Sequence, residues 1–246
     1  MPKIHVLLTK EEIDEHKISE EQIMVVFDVL LATTTIISAL KDGAKEVIPV
    51  LDMAEARQTF EELGDDDCIL AGEYDGLTLD GFYSPNPLAL RDVVKDQTLI
   101  LSTTNGTVAV KKSASAHKVY CASLLNNLSV SKKIKTDHTD QTIVIVCAGS
   151  GGVFNIEDFY GAGHLLSELL AETSYDLTDS AFAALTFYEG LKDQPTQVLQ
   201  KSSVGRMLSK HQLDHVLEFV AQKNLYDLVP ELSDGRILIE HSSEKI

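Results

Sequence analysis

Four carboxylates stand where an α/β enzyme places its chemistry. Asp28 follows the apolar run Ile23–Phe27, Glu73 closes Ala71-Gly72-Glu73, and Glu157-Asp158 comes shortly after Ile143–Val146. The same strand ends carry small, hydroxyl and amide residues: Thr33-Thr34-Thr35, Ser102 through Thr107, Cys121-Ala122-Ser123, and Cys147-Ala148-Gly149-Ser150-Gly151-Gly152. Hydroxyls and backbone N–H groups at helix N-termini suit an anion. Carboxylates in the same place suit a divalent cation, and Mg²⁺ commonly takes one or two of them together with water and phosphate oxygens. The combination points to a phosphate ester held between a metal and helix N-termini. Taken singly, each segment also has a plain structural reading. Thr33-Thr34-Thr35 can be an N-cap and first turn, Asn105-Gly106 is a common turn pair, and Gly149–Gly152 is a flexible strand-to-helix loop. That loop matches neither the Gly-Lys-Ser/Thr phosphate loop nor the dinucleotide fingerprint, and nothing suggests a nucleotide or redox cofactor.

Positioning these residues requires strands that end at one edge. Short runs rich in Val, Ile and Leu predict strands at Ile4–Leu8, Ile23–Val29, Glu46–Leu51, Cys68–Ala71, Thr98–Ser102, Lys118–Cys121 and Thr142–Cys147. They are mostly continuous rather than alternating, as for strands buried on both faces. Helices are predicted between them at Thr35–Asp42, Met53–Leu63, Pro87–Val94, Thr107–Ser113, Leu125–Lys135 and Ile156–Glu172. Met53, Ala56, Phe60 and Leu63 share one helical face. The alternation predicts a three-layer α/β fold with a mostly parallel or mixed central sheet and helices on both faces. Ligands of open α/β sheets bind beyond the carboxyl ends of the strands, so a parallel sheet would gather the segments above on one edge. Residues 1–172 are expected to form this core. Residues 173–246 are expected to add a mainly helical extension packed on it: helices at Ser180–Gly190, Ser203–Lys210 and Gln212–Asn224, late strands at Tyr226–Pro230 and Arg236–Glu240.

The 246 residues carry 21 Lys and Arg against 38 Asp and Glu, a formal net charge of −17. That surface repels nucleic acid and anionic membranes unless one face is strongly basic, and no basic stripe is visible. The acidic runs Glu11 to Glu15 and Asp65-Asp66-Asp67 read as solvated surface without calcium-loop spacing. No apolar run reaches the ~20 residues of a membrane span, and the N-terminus has no signal pattern. The three cysteines, Cys68, Cys121 and Cys147, sit among apolar residues and read as buried strand thiols. A cytoplasmic location is expected. His211 and His215 read as a surface pair on one helix, since the His-Glu-x-x-His pattern is absent. Phe182, Leu185 and Tyr188 line one stripe. Such a stripe more often packs on its own sheet, and the alternative, a homodimer face, stays open.

As an ordered set, these motifs resemble the 2-phosphosulfolactate phosphatase (ComB-like) family. The likeness rests on Asp28 to Ile36, Ala71-Gly72-Glu73, Gly81-Phe82, Thr103-Thr104-Asn105-Gly106-Thr107, Cys147-Ala148-Gly149, Glu157-Asp158 and Gly161-Ala162-Gly163. In the tail it continues through Ser203 to Leu208, Asp214-His215-Val216 and Val229-Pro230. The resemblance implies an α/β fold and a Mg²⁺-dependent phosphatase that converts 2-phospho-3-sulfolactate to sulfolactate and phosphate, within sulfolactate or coenzyme M formation. Carried onto this chain, Asp28, Glu73 and Asp158 are expected to hold the metal and act in catalysis. Thr33, Thr34, Thr104, Asn105, Gly106 and Gly149 are expected to bind a small anionic substrate. Attack by an activated water and a phospho-aspartate at Asp28 are both open routes.

The chain departs from the family pattern at three arginine positions, which here are Leu31, Tyr74 and Val108. Arginine suits phosphate, sulfonate and carboxylate through bidentate, charge-assisted bonds, each worth roughly 1.5–3 kcal/mol. Their absence supports an alternative expectation: a diverged, catalytically weakened relative that binds a less anionic ligand or a protein partner. Arg57, Arg91 and Arg206 are the residues that would compensate if the fold brings them to the site.

Overall fold

The computed structural model describes residues 1–64 and 67–239. Asp65 and Asp66 of the acidic run, and Glu240 of the last expected strand, lie outside the described residues. The strands are β1 (Lys3–Leu7), β2 (Gln22–Phe27), β3 (Glu46–Val50), β4 (Cys68–Tyr74), β5 (Leu77–Thr78), β6 (Thr98–Ser102), β7 (Lys118–Ala122), β8 (Thr142–Cys147), β9 (Asp176–Leu177), β10 (Pro230–Ser233) and β11 (Arg236–Ile239). The helices are α1 (Ala32–Lys41), α2 (Met53–Leu63), α3 (Pro87–Leu90), α4 (Gly106–Lys112), α5 (Asn127–Asp137), α6 (Ile156–Leu170), α7 (Asp179–Leu191), α8 (Pro195–Lys201), α9 (Ser203–Lys210) and α10 (Asp214–Val220). The architecture is α/β, with helices on both faces of a mixed sheet. Local chemistry explains the boundaries. Asp52 caps α2 by accepting from the Glu55 N–H at 2.9 Å, and Glu55 reaches back to the Leu51 N–H at 2.7 Å.

The described strands form one sheet in the order β5-β4-β6-β3-β11-β10-β7-β2-β8-β1-β9. β4, β6 and β3 are parallel to one another, as are β7, β2, β8, β1 and β9. The β10–β11 hairpin joins the two groups through antiparallel pairings, Glu231 with Tyr120 and Ile237 with Val47. Three antiparallel steps in succession give the two parallel groups opposite senses along the sheet. The expected shared edge of a parallel sheet is therefore absent, yet the strand ends still meet. Twist of about 20–25° per strand accumulates to more than about 100° over the five steps from β6 to β2 and turns one group back toward the other. The cores record this. Ile36, Ala39 and Leu40 of α1 and Ala109 and Val110 of α4 share a cluster with Met24 and Val26 of β2 and with Leu99 and Leu101 of β6. A larger cluster covers the opposite face of β1, β2 and β8 with α5, α6 and α7.

The tail differs from expectation in instructive ways. Tyr226 to Val229 is a loop, because the Tyr226 N–H goes to the Leu125 carbonyl at 2.8 Å instead of to a strand. The strand begins at Pro230, where a missing N–H costs a ladder nothing. The expected helix from Gln212 shortens to α10 because Gln212 takes φ +60°. His211 and His215 consequently lie on either side of a break rather than on one helix. Tyr188 is buried and Leu185 packs against the main core, while Phe182 is 62% exposed. On α2, Ala56 is buried, but Met53 and Leu63 stay exposed at 41% each, so the apolar face is narrower than its spacing suggests. β4 runs on to Tyr74 and turns through Asp75-Gly76, at φ +50° and +80°, into β5. The Asp-Gly pair was the sequence signal for that hairpin. All three cysteines are free and buried. Burial pushes the Cys121 thiol up to about 12. Among the described residues, no helix is long and apolar enough to cross a membrane.

Two predictions test this packing. Gly163 of α6 faces α7 so closely that a Cβ would lie 2.3 Å from the Ala184 carbonyl oxygen. The helical gain of a Gly→Ala change, about 1 kcal/mol, is outweighed by that clash with backbone, so Gly163→Ala should lower the urea midpoint by the equivalent of about 1–3 kcal/mol. His164 is buried, stacks on Tyr188 at 5.1 Å, meets the Asn127 amide through Nδ1 at 3.0 Å and approaches Glu168 through Nε2 at 3.3 Å. Burial holds its pKa below the usual value, against the pull of Glu168. The unfolded chain then takes up a proton near pH 6.5 that the folded chain refuses. Stability from this site is present above that pH and lost as pH falls below it. Thermal melts between pH 7.5 and 5.5 should show a smaller loss for His164→Gln than for the parent chain.

Candidate active site

A cavity of about 240 Å³ opens where five segments converge. The β2–α1 turn contributes Asp28, Leu30 and Leu31, the β4–β5 turn Glu73, Asp75 and Gly76, and the β6–α4 turn Thr104 and Asn105. The β8–α6 loop contributes Gly149, Ser150, Asn155 and Glu157, and α9 adds Ser203, Val204 and Met207. Four carboxylates and no lysine, arginine or histidine line this cavity among the described residues.

Asp28 is its centre. The backbone N–H groups of Ala32 and Leu31, at the start of α1, and of Gly106, at the start of α4, face its carboxylate and favour its ionised form. Two helix N-termini thus already hold an anion, supplied by the chain itself. Gly106 is required here, because a Cβ would lie 2.4 Å from that of Ala32 and 2.6 Å from Asp28 Oδ2. Burial, and next the charge of Glu73, push the Asp28 carboxyl up to about 6 despite these donors.

The other carboxylates divide into two kinds. Glu73 accepts from the Thr104 N–H through Oε1 at 2.7 Å, and through Oε2 from the Gly76 N–H at 2.7 Å and the Thr104 hydroxyl at 3.2 Å. Asp158 accepts from the Val29 N–H at 2.8 Å through Oδ1 and from the Gly149 N–H at 3.1 Å through Oδ2, and is 1% exposed. Both hold loops together. Glu157 is also 1% exposed and is one of the residues lining the cavity, and its Oε2 is buried without a hydrogen-bond partner. Burial raises its carboxyl to about 7, with the Asp28 charge adding to the effect and Ser202 and Arg206 opposing it. Asp158 is raised by burial and then by Asp28 and Glu157.

The hydroxyls expected to grip a ligand are largely committed to the backbone. Thr33 Oγ1 donates to the Asp28 carbonyl at 2.9 Å and Thr34 Oγ1 to the Val29 carbonyl at 2.7 Å, and both residues are fully buried. Thr104 and Asn105 do line the cavity, although Asn105 Oδ1 takes the Lys10 ammonium at 2.8 Å and the Gly151 N–H at 3.3 Å. Gly149 lines it at φ +65°, with no space for a side chain. Sequence reasoning overlooked Lys10, an 8% exposed ammonium behind Asn105 that no motif signals. It also overlooked the α9 wall. Of the arginines expected to compensate, Arg57 bonds the Asp80 carbonyl and covers Phe82, and Arg91 pairs with Asp42 and covers Phe219. Only Arg206 lies near the site, acting on Glu157 through its charge. Leu31 lines the cavity, Val108 does not, and Tyr74 points outward at 66% exposure.

Among the described residues, no three His, Cys, Asp or Glu side chains group closely enough to hold a metal by themselves. The expected trio of Asp28, Glu73 and Asp158 does not form such a group among the described residues, and the last two also accept from backbone N–H donors. A hard cation fits the remaining chemistry: a buried Glu157 oxygen without a hydrogen-bond partner, an Asp28 carboxylate lining the same cavity, and no basic side chain among the described residues that line it. One or two carboxylates suffice for Mg²⁺ when water and phosphate supply the other oxygens.

Known proteins resemble this chain along nearly its whole length. The 2-phosphosulpholactate phosphatase family model matches residues 7–235. A protein of Clostridium beijerinckii named "Probable 2-phosphosulfolactate phosphatase" is 34% identical over 241 residues, covering 97% of this chain and 100% of its own. Proteins of the same name from Clostridium perfringens and Clostridium acetobutylicum are each 36% identical, the first covering 99% of both chains and the second 96% of this chain and 100% of its own. The carboxylate-lined cavity therefore sits in a member of the 2-phosphosulfolactate phosphatase family, whose relatives are named as probable 2-phosphosulfolactate phosphatases.

Proposed function

We propose that this chain is a Mg²⁺-dependent phosphatase that hydrolyses the phosphate monoester of a small hydroxy acid, 2-phospho-3-sulfolactate or a related compound, to the hydroxy acid and inorganic phosphate. The observation that carries the reading is the Asp28–Glu157 carboxylate pair in a cavity without a basic side chain. Asp28 and Glu157 would hold the ion, which neutralises phosphoryl charge and makes a bound water acidic. Asp158 and Glu73 are positioning residues: the first ties the β2–α1 turn to the β8–α6 loop, the second ties the hairpin tip to Thr104. Ser150, Asn155 and Ser203 orient the ester from the wall. Water is the favoured nucleophile over Asp28, whose carboxylate faces the N–H groups of Ala32, Gly106 and Leu31 and would be taken up in holding the ion.

The test is phosphate release from 2-phospho-3-sulfolactate and a panel of small phosphoesters, with Mg²⁺ and with chelator. Release is expected only with Mg²⁺, and Glu157→Gln should reduce it by at least 100-fold. In thermal melts, Mg²⁺ should raise the midpoint of the parent chain and leave that of Glu157→Gln unchanged. Folded protein that releases no phosphate from any ester would overturn the reading.

A second reading, a relative weakened toward the sulfonated substrate, is favoured by Leu31 in the cavity wall where an arginine is expected. Calorimetric titration with 2-phospho-3-sulfolactate separates the two. Weak binding that Leu31→Arg improves by about ten-fold or more supports the weakened reading, and tight, Mg²⁺-dependent binding by the parent chain rejects it.

A further inference from the structure

The acidic cavity does not end at Leu31. A second cavity of about 270 Å³ adjoins it and shares Leu30, Leu31, Glu73, Gly76 and Met207 as a common wall. Beyond that wall the surface is mostly hydrocarbon: Leu77, Pro85, Leu208, Leu213 and Val216. Glu73 and the exposed His211 are the ionisable side chains on its lining among the described residues. A ligand whose phosphate sits at Asp28 and Glu157 can extend under cover into this second cavity, past the shared residues Leu30, Leu31 and Met207. A Cβ on Gly76 would stand 3.0 Å from Met207 Sδ, so the hairpin tip and α9 close over the junction.

We infer that this second cavity is the specificity half of the substrate site, and that the preferred ester carries an aliphatic branch there rather than a second strong anion. The inference rests on the phosphatase reading above and names its substrate class. A sulfonate entering the second cavity would give up its hydration to leucine, valine and proline and would face the Glu73 carboxylate without an arginine or lysine to bond it. A branched hydrocarbon would gain from the same surroundings, at the usual increment for each buried methylene. Leu31 is the residue that decides, because it is the N-cap of α1, half-buried, and part of both cavities.

The test compares two esters on the full chain with Mg²⁺: the phosphate ester of 2-hydroxy-4-methylpentanoic acid and 2-phospho-3-sulfolactate. Phosphate release gives kcat/KM for each, and calorimetry gives Kd for their non-hydrolysable phosphonate analogues. The branched ester should be favoured at least ten-fold in both readouts, and Leu31→Arg should shift the ratio at least ten-fold toward the sulfonated one. Leu213→Arg, on the far wall, should shift it the same way and serves if the first variant does not fold. Equal or better use of the sulfonated ester by the parent chain, or ratios unmoved by both variants, would overturn the inference and leave the phosphatase reading standing. Preferential binding of the branched analogue with no phosphate release from either ester would support the pocket assignment and overturn the phosphatase reading. Neither binding nor release would overturn both.

Discussion

The site depends on one contact: the half-buried Asp28 side chain set against the first turns of α1 and α4. Its own strand delivers it, and the N–H groups that face it belong to Ala32, Gly106 and Leu31, at the starts of the helices that follow β2 and β6. Those donors would otherwise be unsatisfied at the helix ends. The contact settles the distance between two strands that do not pair with each other. It also settles the identity of residue 106, since any side chain there would overlap Asp28 and Ala32. A carboxylate placed in this way favours its ionised form through the donors and opposes it through burial and the Glu73 charge. Burial and repulsion win, and the group ends up poised near 6, where a cation can lock it ionised.

The acidic surroundings extend this logic. Glu73 and Asp158 convert their charge into loop geometry through short bonds to backbone N–H groups, whereas Glu157 keeps a bare oxygen buried. An unpaired buried acceptor costs stability, of the order of 1–3 kcal/mol, and such costs collect where function needs them. The same cavity changes character within a few ångströms at Leu31, from carboxylate to hydrocarbon. The α9 segment lines both halves, with Met207 between them, so the tail after residue 173 contributes to the site.

The tail also builds the middle of the sheet. The β10–β11 hairpin lies between β3 and β7 and pairs with each through a single residue pair. Ion pairs reinforce both junctions, Lys118 with Glu231 on one side and Arg236 with Glu46 on the other. The Arg236–Glu46 pair is half-exposed and adds little by itself, while Glu231 of the other pair is buried. The burial of Ile237 and the backbone ladder do more. Because the last-made strands join two groups made earlier, the contacts that complete this sheet are long in sequence.

Much of this was legible in the residues themselves. Continuous apolar runs such as Met24 to Phe27 and Ile143 to Val146 announce strands buried on both faces, because period and burial are local properties of the chain. The turn residues after them announce the site, since Asp28, Thr104-Asn105-Gly106 and Gly149 keep their positions at strand ends whatever the sheet order. The structure alone decided how those ends meet. The sequence carries no mark of a hairpin at 230–239 entering the centre of the sheet, nor of the twist that brings oppositely directed strand groups together. It could not tell Glu157, with a free oxygen, from Asp158 beside it, because that difference lies in which backbone N–H groups arrive from Val29 and Gly149. Nor could it show Leu31 as the boundary between two cavities. Side-chain type is written residue by residue. Hydrogen-bond partners and cavity walls come from segments far apart in the chain, and only packing brings them together.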